Sequence, residues 1–160
     1  MFDKFGEFDS AEELNIAAAA QLKEGDTEAI YTIAEENGID REDAEDFING
    51  DVQELATPLM AALGKLDAES RELKPEEIMA DWVEYILVRC RESEEMAKAV
   101  RKKGKSLKGC IAELLKWSFQ NQRDVDTGIL KEAGVSAQRC TLGIPGMGRA
   151  KQIITEYYMG

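Results

Sequence analysis

The chain of 160 residues contains no histidine. That absence removes the usual general base, the commonest zinc ligand and the ordinary pH-sensitive switch at once. It turns the reading away from an enzyme and towards a binding protein. Cysteine is scarce as well. Residues 90, 110 and 140 are an odd set with no CxxC pair, as expected of reduced thiols in a cytosol and not of a disulfide framework. They lie too far apart in sequence to point to a zinc site, and Cys90 and Cys110 fall on apolar helix faces, where a thiol serves as a small core residue. No run of about 20 apolar residues exists, so no transmembrane helix is expected. The opening MFDKFGEFDS is acidic and lacks the apolar stretch of a signal peptide. The expected setting is therefore a cytoplasm, with no membrane partner and no cofactor.

Positive charge is almost missing from the first third. Residues 1 to 57 hold 17 acidic and 3 basic side chains, a net of −14, whereas residues 58 to 160 hold 15 acidic and 17 basic, a net of +2. The overall formal charge of −12 thus belongs to the amino-terminal part. Asymmetry of this kind points to electrostatic partners, internal or external. The densest region is 35 to 54, with nine carboxylates against Arg41. If mostly helical, it carries about one net charge per 3.8 Å at 1.5 Å rise per residue, close to the roughly 3.4 Å spacing of phosphates along one strand of B-DNA. Asp40, Glu42, Asp43, Glu45, Asp46, Asp51 and Glu54 are accordingly the expected partner-binding residues, as a stand-in for nucleic acid in another protein's cationic groove. The plainer reading is a solvated surface that keeps the chain soluble.

Helix signals fill the rest. SAEE at 10 to 13 reads as a capping box before a helix that stops at Gly25. Asp26 and Asp40 are placed to cap helices ended by Gly38 and Gly50. A fourth helix is expected in DVQELATPLMAALGKL, kinked or restarted at Pro58. DAESRELKP reads as a linker, with Pro75 opening the next helix. From Pro75 to about Arg91, Met79, Trp82, Val83, Ile86 and Cys90 recur with helical spacing as a buried stripe. Ser93 can cap a helix ended by Gly104, and Ser106 one that places Leu107, Cys110, Ile111, Leu114 and Trp117 on one side. Shorter helices follow, from Thr127 to Ala133 and in GRAKQIITEYY, with a weak hairpin signal at 139 to 144. The expected fold is all-α, a compact bundle of about eight short helices. It is read as one domain over 1–160, divisible into an acidic subdomain at 1–68 and a helical core at 75–160.

Several motifs fail on inspection. GKS at 104 to 106 lacks the earlier glycine and the preceding strand of a phosphate-binding loop. REDAEDFINGD fails as a calcium loop, because aligning Gly50 as its glycine puts Phe47 at loop position 3 and Ala56 where the closing Glu belongs. LGIPGMGRAKQII resembles a helix-hairpin-helix phosphate grip, yet a glycine turn before a helix explains it as well. RKKGKSLKGC remains. Its Arg101, Lys102, Lys103, Lys105 and Lys108, with Arg149 and Lys151 beyond, form the alternative nucleic-acid contact. The simpler expectation is that it joins two helices and balances the acidic third, within the fold or across a homodimer.

FGEFDSAEELN, ENGIDREDAEDFINGDVQELATP, RKKGKSLKGCIAELLKWSFQNQ and LGIPGMGRAKQIITEYYMG together resemble the PcfK-like family of phages and mobile elements of gut bacteria. KSLKGCIAELL is most like the wider group. The family includes anti-CRISPR inhibitors of the type II CRISPR effector nuclease. The resemblance implies a non-enzymatic protein that binds such a nuclease, with or without its guide RNA, and blocks target DNA binding or cleavage. It supplies no residue-level site. The alternative is a DNA-binding accessory protein for conjugation or phage replication.

Overall fold

The computed structural model describes residues 2–160, and among them it is all-α apart from one two-residue strand pair. Chain order is α1 (Ala11–Glu24), α2 (Thr27–Glu36), α3 (Arg41–Asn49), α4 (Pro58–Leu73), α5 (Ile78–Glu92), α6 (Glu94–Arg101) and α7 (Leu107–Gln120). Then come β1 (Arg123–Asp124), α8 (Thr127–Glu132), β2 (Thr141–Leu142) and α9 (Met147–Met159).

The helix starts follow their capping side chains. Ser10, Asp26, Thr57, Ser93, Ser106 and Asp126 each accept a hydrogen bond from an amide in the first turn of the helix that follows. Each such bond satisfies one of the four orphan donors of a helix start. Glu13 completes the first motif one residue early, accepting the Asp9 amide at 2.8 Å. Asp40 stands at the N-cap of α3 without a side-chain cap bond.

Five sequence expectations are corrected. Residues 51–57 are not helical, while Pro58 starts a helix as expected, being the first residue of α4, where its missing N–H costs nothing. DAESREL is not a linker but the last turns of α4, which ends at Lys74 in the left-handed region. Pro75 precedes α5 by three positions, and Met79 is turned to solvent. Thr141–Leu142 does not form a local hairpin. It pairs antiparallel with Arg123–Asp124, with α8 between the two strands.

Two hydrophobic clusters result. The first is built from Leu14, Ala18, Ile30, Ile33, Ala44, Phe47 and Leu55, which belong to α1, α2, α3 and the segment after them. The second takes Leu66, Trp82, Ile86, Met96, Val100, Leu107, Leu114 and Ile154 from α4 to α9. Helix α4 joins the two, since Met60 packs on the first and Leu63 and Leu66 on the second. Its approach to α2 depends on two glycines. A Cβ at Gly64 would lie 2.0 Å from the Asn37 carbonyl oxygen, and one at Gly38 would lie 2.5 Å from that of Gly64. Gly38 also has φ +65°, which only glycine adopts freely. No described helix is long and apolar enough to cross a membrane.

Candidate interaction surface

Helix α3 is amphipathic in a charged sense. Ala44 and Phe47 are buried and Ile48 is half-buried, so the helix is oriented with that side inward. Glu42, Glu45 and Asp46, at i, i+3 and i+4, then fall together on the opposite, solvent-facing side. The helix therefore gathers three of the seven expected carboxylates on one face. Arg41 ion-pairs with Glu45 at 3.4 Å while its guanidinium lies 4.1 Å from the centre of the Tyr31 ring. Both partners are well exposed, so the ion pair adds little stability, while the guanidinium cancels one of the three negative charges of this face.

The other four expected residues diverge from that face. Asp43 is half-buried at its edge. Asp40 lines a cavity of about 410 Å³ together with Arg41 and Arg71. Glu54 lines a cleft of about 770 Å³ together with residues of α1 and α6, among them Glu94, Lys98 and Lys102. Asp51 is exposed in the segment after α3. The acidic surface that faces away from the protein's own cations is thus narrower than the sequence indicated.

The basic segment 101–108 divides into an internal and an external part. Arg101 is buried, which removes it from any nucleic-acid contact. Its Nη2 donates to Asn37 Oδ1 at 2.8 Å, and its guanidinium lies 5.1 Å from the centre of the Phe2 ring. Its Nε and Nη1 have no hydrogen-bond partner among the described residues. Burial lowers its pKa, opposed by the nearby charges of Glu7, Glu69 and Asp9. Lys105 is half-buried and corrected likewise, because its Nζ donates to the Tyr157 carbonyl at 2.6 Å and sits over the Tyr157 ring. The Lys103 amide donates to Asp9 Oδ1 at 2.9 Å. The side chains of Lys102, Lys103 and Lys108 remain exposed. Arg149 is exposed near the Trp117 ring and donates to Gln152, and exposed Lys151 lies near the Tyr85 ring.

Charge balance is therefore internal, but it is struck with Glu7, Asp9 and Glu69 and not with α3. Its centre is Lys65, which sequence reading missed. This buried ammonium spends three donors on Glu7 Oε1 at 2.9 Å, the Lys102 carbonyl at 2.9 Å and the Lys105 carbonyl at 2.6 Å. Those three bonds exhaust its hydrogen-bonding capacity. Glu69, one turn later on α4, accepts the Leu107 amide. Burial raises the Glu69 pKa, opposed by that amide and by Lys65. The one available sequence signal was a lysine and a glutamate spaced i, i+4 among the apolar positions Ala61, Ala62 and Leu66. Cys90 and Cys110 are buried in the second cluster, with thiols pushed up to about 11 and about 12 by burial. They are protonated, unreactive core groups at neutral pH.

Set against protein-family models, curated proteins and solved structures, the chain matches none of them.

Proposed function

We propose that this protein is a non-enzymatic inhibitor of a type II RNA-guided nuclease, acting in the bacterial cytoplasm as an anti-CRISPR protein of the PcfK-like group. In this reading it binds the effector, with or without guide RNA, and blocks target DNA binding or cleavage. The observation that carries the mechanism is the outer face of α3, where Glu42, Glu45 and Asp46 project together beside Arg41. Effectors of this kind hold nucleic acid in positively charged channels. A carboxylate face is steered into such a channel quickly, and salt weakens the encounter. The lineage rests on the sequence resemblance, and the decoy mechanism rests on the helix face; each supports the reading independently.

The test is target cleavage by a purified type II effector, with co-purification measured in the presence and absence of guide RNA. Reversing Glu42, Glu45 and Asp46 to lysine is expected to abolish inhibition while helix content stays unchanged. Unchanged inhibition by that folded variant rules out the decoy mechanism.

The exposure of Lys102, Lys103, Lys108, Arg149 and Lys151 favours one alternative, a DNA-binding accessory protein for conjugation or phage replication. Filter retention of duplex and single-stranded DNA at low salt separates the two, since the accessory protein retains DNA and the decoy does not.

A further inference from the structure

Residues 2–9 cross the body of the protein without regular structure, and each of them is half-buried or exposed. Among the described residues, no backbone–backbone hydrogen bond ties residues 4–9 to the helices they cross. Their hydrogen bonds to the body all end on a carboxylate. The Lys4 and Phe5 amides donate to Glu36 Oε1 and Oε2 at 2.6 and 3.1 Å. Glu7 accepts from Lys65, and Asp9 accepts from the Lys103 amide. Phe5 and Phe8 add a half-buried apolar anchor on the first cluster.

Both strap carboxylates, Glu7 and Asp9, act on one turn. Asp9 Oδ1 sits 2.9 Å from the amide nitrogen of Lys103, in the turn closed by the Lys105 amide donating to the Lys102 carbonyl. Glu7 reaches the same turn through Lys65, whose ammonium donates to the carbonyls of Lys102 and Lys105. A main-chain N–H between exposed lysines is a common grip for a phosphate oxygen. Here the protein's own Asp9 fills that position. The cleft of about 770 Å³ beside it is lined by Asp9, Lys98, Arg101 and Lys102. Arg101 is 1% exposed and keeps Nε and Nη1 without hydrogen-bond partners, so the strap leaves a buried positive charge incompletely met. Glu12, Glu54 and Glu94 also line the cleft, and Glu94 is paired with Lys98 at 3.0 Å.

We propose that residues 4–9 are a releasable strap, that Asp9 stands in for a phosphate oxygen on the Lys103 amide, and that a single-stranded nucleic-acid backbone displaces it. The inference rests on the reading of the basic segment as a nucleic-acid contact, and adds how that contact is held closed. A backbone phosphate carries one negative charge, as does the aspartate it replaces. Lys102, Lys103 and Lys108 have exposed side chains, so a continuous backbone makes several charged contacts where a free phosphate makes one. Arg101 stays buried and adds its field without touching the ligand. A strap held mainly through carboxylates yields to a stronger polyanion competing for the same cations.

The test is the anisotropy of a labelled single-stranded DNA in about 0.1 M salt. Asp9→Ala combined with Glu7→Gln is expected to tighten binding roughly tenfold or more over wild type, because like charge is removed from the turn. Adding Lys102→Ala and Lys103→Ala should return the affinity to the wild-type value or weaker. Glu24→Gln with Glu28→Gln removes as much charge from exposed positions at the far end of α1. Glu24 lies about 21 Å along the helix from Ser10, beyond the roughly 10 Å reach of charges at this salt, so that control should stay within about twofold of wild type. Amide exchange followed by NMR reads the strap directly. DNA should speed exchange at Lys4 and Phe5 in the wild type, and inorganic phosphate at the same ionic strength should not. Without DNA, Asp9→Ala should speed exchange at Lys103, and this single variant serves for the binding assay too if the double variant loses helix content by circular dichroism. Equal tightening by the α1 control, or release of the strap by inorganic phosphate, overturns the proposal. Unchanged protection of Lys103 in Asp9→Ala refutes the strap itself. A released strap with no DNA bound by any variant refutes the nucleic-acid reading beneath it.

Discussion

Arg101 donates to the side-chain oxygen of Asn37 across 2.8 Å, bridging residues 64 positions apart in the chain. Asn37 ends α2, and Arg101 ends α6. The bond therefore ties the amino-terminal helices to the second cluster at a point where both residues are buried. Asn37 Nδ2 is itself fixed by donating to the Ile33 carbonyl at 2.7 Å. Removing Arg101 leaves Asn37 Oδ1 unpaired and Glu7, Glu69 and Asp9 less compensated. Arg101→Ala is expected to cost about 3–5 kcal/mol, as for other broken buried charge contacts. Asn37→Ala is expected to cost about 1–3 kcal/mol. In a double-mutant cycle by chemical denaturation the two losses should fall short of additivity. Additive losses would mean that the bond does not couple the two clusters.

Gly64 is the tightest steric point of the fold. Gly64→Ala drives a methyl group into the backbone of Asn37, where no flexible side chain can move aside. The expected loss is about 3 kcal/mol or more, equivalent to roughly 6–12 °C in Tm for a protein of this size. Gly148→Ala is the control, since a Cβ there meets nothing within 4 Å, and its Tm should barely change.

The lysines of the basic segment should separate cleanly by alanine substitution. Lys105→Ala removes the bond to the Tyr157 carbonyl and the contact with its ring, and is expected to cost about 1–2 kcal/mol. Lys102→Ala and Lys103→Ala should change stability by less than about 0.5 kcal/mol, as exposed side chains do. Urea unfolding of the three variants is the measurement. Equal losses at all three positions would contradict the division of this segment into buried and solvent-facing parts.

Glu69 gives a pH dependence whose sign follows from burial. Its folded pKa is raised, mainly by desolvation. Its carboxyl group therefore opposes folding least when protonated, and that advantage is lost as pH rises through the folded pKa. Comparing wild type with Glu69→Gln from about pH 4 to pH 7 removes the contribution of every other carboxylate. The stability difference is expected to shift in favour of glutamine as pH rises. A shift the other way would show that Lys65 and the Leu107 amide outweigh burial.

Much of this architecture is local, and local features are legible in a sequence. Ser10, Asp26, Ser93 and Ser106 start helices because a short side-chain oxygen satisfies an orphan amide a few residues away, which needs no knowledge of the rest of the chain. The stripes of α5 and α7 are set by the 3.6-residue period, as is the common face of Glu42, Glu45 and Asp46. The misreadings also have physical causes. DAESREL has a helix-compatible polar pattern that reads equally well as a linker until Glu69 is given the Leu107 amide, 38 residues away. Arg101 and Lys65 read as surface charges because burial of an ion depends on partners that are distant in sequence. Likewise, Glu54 counts as part of an acidic run in sequence, but in space it shares a cleft with Lys98 and Lys102.

The sequence by itself determined the all-α class, most helix starts and the concentration of negative charge in the first third, because capping, periodicity and net charge are properties of short segments. Only the tertiary structure decided which charges are internal and which face outward. That choice rests on desolvation and on hydrogen bonds between segments tens of residues apart, such as Lys65 with the carbonyls of Lys102 and Lys105. Such contacts exist only after the chain has brought α4, α6 and α7 together.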